Sequence, residues 1–294
     1  MQKTFALLRI TATSNTIEVA NKFPFPVNMT IGKFRNISIV IHNGTTKILH
    51  VDTDLRRFSF VWLTPGWDHR DLGYALWLYL ESTQTPHSYA EPSPSKLTDC
   101  ILFALNNLPV PDTVFVNRRN VEKQLSLIED VCGFPLIIKD TKGSRGRNMA
   151  FVASREDLLE KVKELPEDKK FLFQRYLPHD YVWGIMVANG SVVAGSQTHP
   201  PTDGFRSNLC LGGKEVFVPV SDTADNIKTL AIKASDSLRL GWSRVDIIVD
   251  KRTGLPYLLE VNRNPGVTPN SDEVLGAYTF IASQVLPLLQ ADEP

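Results

Sequence analysis

The stretch Arg244–Gly266 reads RVDIIVDKRTGLPYLLEVNRNPG. Two short apolar runs, RVDIIVD and PYLLEVN, flank a Lys-Arg-Thr-Gly turn. That is the pattern of two adjacent strands. Three polar side chains interrupt the runs: Asp246 on the first, Glu260 and Asn262 on the second. Residues two apart on a strand point to the same sheet face, so Glu260 and Asn262 share one with the apolar Leu258. A carboxylate on such a face is costly unless it is paired or holds a cation. Oxygen donors from Asp, Glu and Asn suit Mg²⁺ bridging nucleotide phosphates. A strand end whose carboxylates meet solvent or a lysine fits the same residues.

Upstream, IIKDTKGSRGRN (Ile137–Asn148) places Lys139 near the end of an apolar run and follows it with Gly143 and Gly146. Backbone N–H groups exposed by glycines and a lysine ammonium can meet phosphate oxygens together. A solvated basic hairpin has the same composition. The loop is no Walker motif, and it is no dinucleotide fingerprint because a strand follows it. FLFQRYL (Phe171–Leu177) runs as a strand into a polar residue and then Tyr-Leu. Such a segment can offer backbone groups to a purine ring, or be a plain amphipathic strand.

The 294 residues carry 32 Lys+Arg against 32 Asp+Glu. A neutral chain argues against a general nucleic-acid or membrane-surface binder, which uses a large positive field. With 43% hydrophobic residues the chain has enough apolar material for a sizeable core. Cys100, Cys132 and Cys210 form no C-x-x-C pair, which points to a reducing cytosol and neither a zinc knuckle nor a disulfide framework. The longest apolar run, LGYALWLYL (Leu72–Leu80), reads as a buried helix and is too short to span a membrane.

The first part is strand-rich: FALLRI, ISIVI, KILHV and RFSFVWL, then a helix over Asp71–Ser82. TPHSYAEPSPS (Thr85–Ser95) has three prolines and four serines or threonines in eleven residues, the composition of a linker. The boundaries drawn from these signals are 1–90, 91–172 and 173–294. Helices are predicted for SKLTDCILFALNNL, N-capped by Ser95, for NVEKQLSLIEDVC, ended by Gly133, for REDLLEKVKEL, for Asn226–Leu240 and for Asp272–Leu289. Strands are predicted for VPDTVFV, FPLIIK, MAFVAS and EVFVPV, and a hairpin around Asn189-Gly190. His179 and His199 are expected in surface loops.

In this order and spacing, the pieces resemble the ATP-grasp superfamily, closest to its branch of ribosomal-protein glutamate ligases. The resemblance covers roughly residues 90–289 and is carried by SKL (Ser95–Leu97), GFPLIIKDTKGSRGRNMAFV, FLFQRYL with Asp180, FRSNLCLGG (Phe205–Gly213), RVDIIVD and LLEVNRNPG. It implies an α/β fold: an N-terminal lobe, then two lobes that clasp ATP between antiparallel sheets. It also implies roles by position. Lys96 and Lys139 would hold phosphates under a lid of Gly143, Ser144, Arg145 and Gly146. Gln174, Arg175, Tyr176 and Leu177 would bind adenine, and Asp180 the ribose. Arg206 and Asn208 would act at the reacting phosphoryl group, and Asp246, Glu260 and Asn262 would hold two Mg²⁺ ions, with Mn²⁺ able to substitute. A basic loop of this kind neutralises a triphosphate locally, so the whole chain need not be cationic.

The implied reaction is ATP-dependent joining of a carboxylate to an amine, most simply an amino acid, through an acyl phosphate. The acid is a metabolite, a peptide or a protein tail, and the resemblance allows a homo-oligomer. Cationic positions usual in close relatives are lost here, at Val182, at Thr198 and His199, and at Leu211. Ser95 replaces an aspartate, and Arg145 and Arg147 stand where uncharged residues are common. Fewer arginines favour a less anionic acid. A nucleotide-binding regulatory module without turnover, and an ATP-grasp kinase, are the competing readings.

Overall fold

Asn189 and Gly190 both hold positive φ, 44° and 74°, as a two-residue hairpin turn requires. The strands they join lie in one of four sheets of the computed structural model, which describes residues 5–11, 27–143, 149–201, 212–268 and 271–290. Ser144, Arg145, Gly146, Arg147, Arg206, Asn208, Cys210 and Leu211 lie outside the described residues.

Strands β1 (Phe5–Thr11), β2 (Val27–Lys33) and β6 (Phe60–Thr64) form a parallel sheet in the order β2-β1-β6. Between β2 and β6, strands β3 (Ile37–His42), β4 (Thr45–His50) and β5 (Thr53–Asp54) form a small antiparallel sheet. Helix α1 (Arg70–Ser82) packs Leu76, Tyr79 and Leu80 onto Ile48, Val61 and Leu63. The expected wholly buried helix is amphipathic instead: Leu78, on its other side, is 50% exposed.

Thr85–Ser95 is not a slack linker. Val61 N–H donates to Pro86 O at 2.9 Å and Ser88 N–H to Val61 O at 3.0 Å, so the segment runs parallel to β6. Proline tolerates this position because a sheet edge leaves some donors unused.

Helix α2 (Lys96–Leu105) starts at a capping box, with Thr98 N–H on Ser95 Oγ at 3.1 Å and Ser95 N–H on Thr98 Oγ1 at 2.7 Å. Then follow β7 (Thr113–Phe115), α3 (Leu125–Cys132), β8 (Leu136–Asp140), β9 (Met149–Val152), α4 (Arg155–Glu164) and β10 (Phe171–Arg175). Their antiparallel sheet has the order β7-β10-β8-β9, and α3 and α4 bury Ile128, Cys132, Leu158 and Val162 against it. α3 ends at Gly133, whose φ of 65° suits glycine.

The last sheet contains β11 (Val182–Ala188), β12 (Ser191–His199), β13 (Lys214–Val218), β14 (Trp242–Val249) and β15 (Pro256–Asn262) in the order β13-β12-β11-β14-β15. Helix α5 (Asp225–Ser237) covers one face through Ile227, Leu230, Ala231 and Ala234, against Ile185, Val245 and Ile247. On the other face Met186, Ala188 and Trp242 meet Ala277, Phe280 and Ile281 of α6 (Asp272–Gln290), together with Phe60 and Trp62 of β6. The N-terminal sheet is thereby docked on the C-terminal one through a shared core. His199 closes a strand rather than a loop, and His179 is half-buried, its ring 6.3 Å from that of Tyr176. Among the described residues no helix is long and apolar enough to cross a membrane.

Candidate active site

Asp246 and Glu260 are direct partners in the β14–β15 register. Asn262 donates its side-chain amide to Asp246 Oδ2 at 3.3 Å. Lys96, the first residue of α2, holds its ammonium 2.7 Å from Glu260 Oε2 and donates to Gly143 O at 2.6 Å. One lysine thus ties the start of the glycine loop to the carboxylate strand. The main chain fixes the same approach, since Lys96 N–H donates to Thr141 O at 2.9 Å.

Lys139, on β8, donates to Gln174 Oε1 on β10 at 2.6 Å. Gln174 is buried, and its amide N–H passes on to Thr113 Oγ1 at 2.8 Å. The residues bracketing the cleft therefore come from the middle sheet on one side and the last sheet on the other.

Electrostatics sort the two carboxylates. Burial pushes Asp246 up to about 7; the like charge of Glu260 adds to this, while Arg244 and Lys96 oppose it. Burial also acts on Glu260, but the Lys96 ammonium, with Lys139 behind it, holds its carboxyl below the ordinary value. Burial lowers the Lys139 pKa, against the pull of Glu260. Two facing carboxylates and an amide, one carboxyl short of counter-charge, are a hard-oxygen donor set that a divalent cation would complete. The residues present fit Mg²⁺.

The RimK-like ATP-grasp domain model matches residues 94–284. The chain belongs to that family. Human N-acetylaspartylglutamate synthase A is 29% identical to it over 164 residues, 55% of this chain and 41% of that protein. A probable α-L-glutamate ligase of Shewanella pealeana is 32% identical over 180 residues, 60% of this chain and 37% of that protein. The match thus spans about two fifths of those relatives' length. Among solved structures, the ATP-grasp ligase PsnB complexed with minimal precursor superposes with a TM-score of 0.68 at 13% identity, over 96% of this chain and 100% of that one. D-alanine–D-alanine ligase from Bacillus anthracis complexed with ATP gives 0.66 at 15%, over 98% of each. At such identities the likeness is one of fold.

Other predicted residues of this ATP-grasp chain are placed differently from one another. Tyr176 N–H donates to Pro135 O at 3.2 Å, and its ring stands edge-on to Phe151 at 5.2 Å. Leu177 is buried, with its carbonyl oxygen 2.7 Å from His179 Nδ1. Asp180 sits at the surface, 2.5 Å from Lys251 Nζ. The Arg175 side chain pairs with Asp112 at 2.8 Å and donates to Val131 O and Cys132 O at the end of α3. There it satisfies carbonyls that a helix leaves open, so any nucleotide contact by Arg175 falls to its main chain.

Arg244 carried no assigned role in the sequence. It lies 2.9 Å from Glu215, 3.5 Å from Glu273 and 3.6 Å from Asp246, and donates to Ser196 Oγ at 3.1 Å. Its guanidinium lies flat across Gly184, where a Cβ would stand 2.2 Å from Nη2. The available signal was its spacing: two residues before Asp246 on one strand means the same face. Cys100, on α2, is pushed up to about 11 by burial despite Lys139 and Lys96 nearby. Its protonated thiol is not a nucleophile at neutral pH.

Proposed function

We propose that the protein is an ATP-dependent carboxylate–amine ligase, with Asp246, Glu260 and Asn262 as metal-holding residues and Lys96 and Lys139 as phosphate-holding ones. The observation that carries this reading is the convergence of those five residues on one cleft, four from two antiparallel sheets and Lys96 from the start of α2.

The substrate carboxylate oxygen attacks the γ-phosphorus of ATP, and the bond from that phosphorus to the β-bridging oxygen breaks. ADP leaves and an acyl phosphate remains. The amine lone pair then attacks the acyl carbon, phosphate departs, and the amine gives up a proton. Mg²⁺, when held by Asp246, Glu260 and Asn262, supplies charge that offsets the phosphates. Lys96 and Lys139 orient the phosphate chain and meet its oxygens. Arg244, buried among three carboxylates, is poised on the same face as Asp246 to stabilise charge that builds on the acyl oxygen. No protein nucleophile is needed, since such catalysis rests on positioning and charge.

Sequence relatives that include a probable α-L-glutamate ligase and a D-alanine–D-alanine ligase support an amino acid as the amine. For the acid, Val182 and Thr198 are direct cross-strand partners. Two of the three places where cations are usual in relatives thus fall together on adjacent strands. A less anionic acid is the expected substrate.

The test is ADP release with Mg·ATP and hydroxylamine against pooled amino acids, short peptides and small carboxylic acids. Hydroxylamine intercepts acyl phosphates. ADP with a hydroxamate supports ligase chemistry; tight ATP binding with no ADP from any pool favours the regulatory reading. A dianionic acid that clearly outcompetes a monoanionic one removes the substrate preference.

A further inference from the structure

Strand β3, ISIVIH, lies at an edge of its sheet, so only one of its sides is paired. Exposed edges are normally kept short, charged, bulged or broken by proline. The opposite edge of that sheet, β5, has two residues, and β13 at the edge of the last sheet carries Lys214 and Glu215. β3 has six residues, no proline and no Lys, Arg, Asp or Glu, and its register with β4 is unbroken. Every residue from Ser38 to Lys47 is exposed, so the chain covers neither face of this hairpin. Ile39, Val40 and Ile41 are 42%, 47% and 75% exposed.

The turn fixes which main-chain groups are open. Asn43 and Gly44, with φ of 47° and 74°, join β3 to β4, and His42 faces Thr45 across them. In a two-residue hairpin that closing pair is hydrogen-bonded, and the pattern alternates from there. Val40 and His42 therefore bond to β4, while the N–H and C=O groups of Ile39 and Ile41 point to the open side. Among the described residues, no main-chain bond outside the β3–β4 ladder engages either isoleucine.

A second copy of β3 meets these groups in one symmetric register. With the strands antiparallel and Val40 facing its counterpart, Ile39 of each chain faces Ile41 of the other. Both pairs then exchange N–H···O bonds in each direction, and no main-chain group of Ile39 or Ile41 is left over. The isoleucines lie together on one face, beside Thr46 and Ile48 of β4. No like charges meet. Lys47 lies opposite Val40 on β4, so the two copies of Lys47 stand three strand spacings apart, about 14 Å, beyond the screening length in physiological salt.

We propose that two copies of this chain pair antiparallel through β3, with Val40 on the two-fold axis, and join their small sheets into one. Such a contact is closed, so pairing ends at the dimer. It is small, below roughly 1,200 Å², and a dimer that forms at micromolar concentrations is expected. The surface lies on the N-terminal hairpin and does not depend on the ligase reading.

The full chain is followed by sedimentation velocity from about 1 to about 100 µM. Its apparent mass should rise toward that of two chains, and hydrogen exchange of the Ile39 and Ile41 amides should slow over the same range. Val40→Lys sets like charges about 5 Å apart at the axis and should weaken association at least about tenfold. Val40→Glu should do the same. An equimolar mixture of the two variants should associate again, because opposite charges then face each other. Val40 is exposed, so both variants leave the core intact. A chain that stays monomeric throughout, a dimer indifferent to Val40→Lys, or a mixture that associates no better than its components would each overturn the proposal.

Discussion

Gly184 offers the sharpest test of how the site is built. It is the register partner of Asp246 on the neighbouring strand, and a Cβ placed there stands 2.2 Å from Arg244 Nη2, 2.3 Å from Nε and 2.4 Å from Cζ. Ordinary contact begins near 3.4 Å, so the guanidinium must retreat by 3.4 minus 2.2, or 1.2 Å. It has little room to do so, with its side chain 18% exposed and Glu215, Glu273 and Asp246 around it. A retreat of that size breaks the 2.9 Å contact with Glu215. Hydrogen bonds to charged groups contribute about 1.5–3 kcal/mol. Gly184→Ala is therefore expected to destabilise the protein by about 2 kcal/mol, read as a lower urea midpoint with an unchanged slope. In an Arg244→Ala background the added methyl enters vacated space, and the same substitution should cost less than about 0.5 kcal/mol or stabilise slightly, because glycine is a poor strand residue. Carboxylate-dependent ADP release should fall about 100-fold in Gly184→Ala alone, as misplacement near 1 Å does at a reacting centre. Equal destabilisation by Gly184→Ala with and without Arg244 would refute the reasoning.

Glu260→Gln removes the carboxylate facing Asp246; turnover should drop by at least about 100-fold with Mg²⁺ affinity reduced in calorimetry and the fold retained by circular dichroism. Lys139→Ala should weaken ATP at least about tenfold in equilibrium binding, and unchanged affinity would take the lysine out of the phosphate site. Asp54 titrates the N-terminal lobe. Hydrogen bonds from the Arg56 side chain, against the effect of burial, hold Asp54 down to about 2 from 3.8. The folded value lies below the unfolded one, so this stabilisation is complete above pH 3.8 and is lost as pH falls through about 2. The full shift corresponds to about 2.4 kcal/mol, and exposure of Arg56, 53%, cuts the expected effect to about 1 kcal/mol. Asp54→Asn should flatten the acid limb of a pH–stability curve by that amount, and an unchanged limb would mean the pair contributes nothing.

Periodicity made much of this fold legible. The Asn189-Gly190 hairpin, the Ser95 cap and the α5 face all follow from residues close in sequence. The pairing of Asp246 with Glu260 was readable too, because a short turn leaves two strands little choice of partner. What stayed hidden depends on distant chain. β2, VNMTIGK, lacks clean alternation and is a strand through its parallel pairing with β1. The Pro-rich segment is ordered by contacts to β6 that no local pattern encodes. Arg244 was visible as a residue on the Asp246 face, but its environment comes from Glu215 on β13 and Glu273 on α6, far apart in sequence. The Lys139–Gln174 contact was legible only as two separate roles implied by family resemblance.

The aim of α2 at the cleft follows from two ion pairs of opposite sense. Lys96 meets Glu260 at 2.7 Å, and Asp99 meets Arg263 at 2.6 Å. Both partners are three residues apart, on α2 and at the end of β15 respectively. Three residues rise about 4.5 Å along a helix but about 10 Å along a strand. The long lysine and arginine side chains span the difference, each reaching to a shorter carboxylate. Reversing the helix, or sliding it so that Lys96 met Arg263, would set like charges together, so charge order alone selects one docking. Arg263 is also held by Glu91 of the Pro-rich segment, with its side chain 7% exposed. One buried guanidinium therefore joins the N-terminal connection, the first turn of α2 and the strand that carries Glu260 and Asn262. A lysine at 263 would keep the charge but lose the planar fork that serves two carboxylates at once. The neutral net charge of the chain conceals this arrangement: charges of both signs are set in pairs at the seams between lobes.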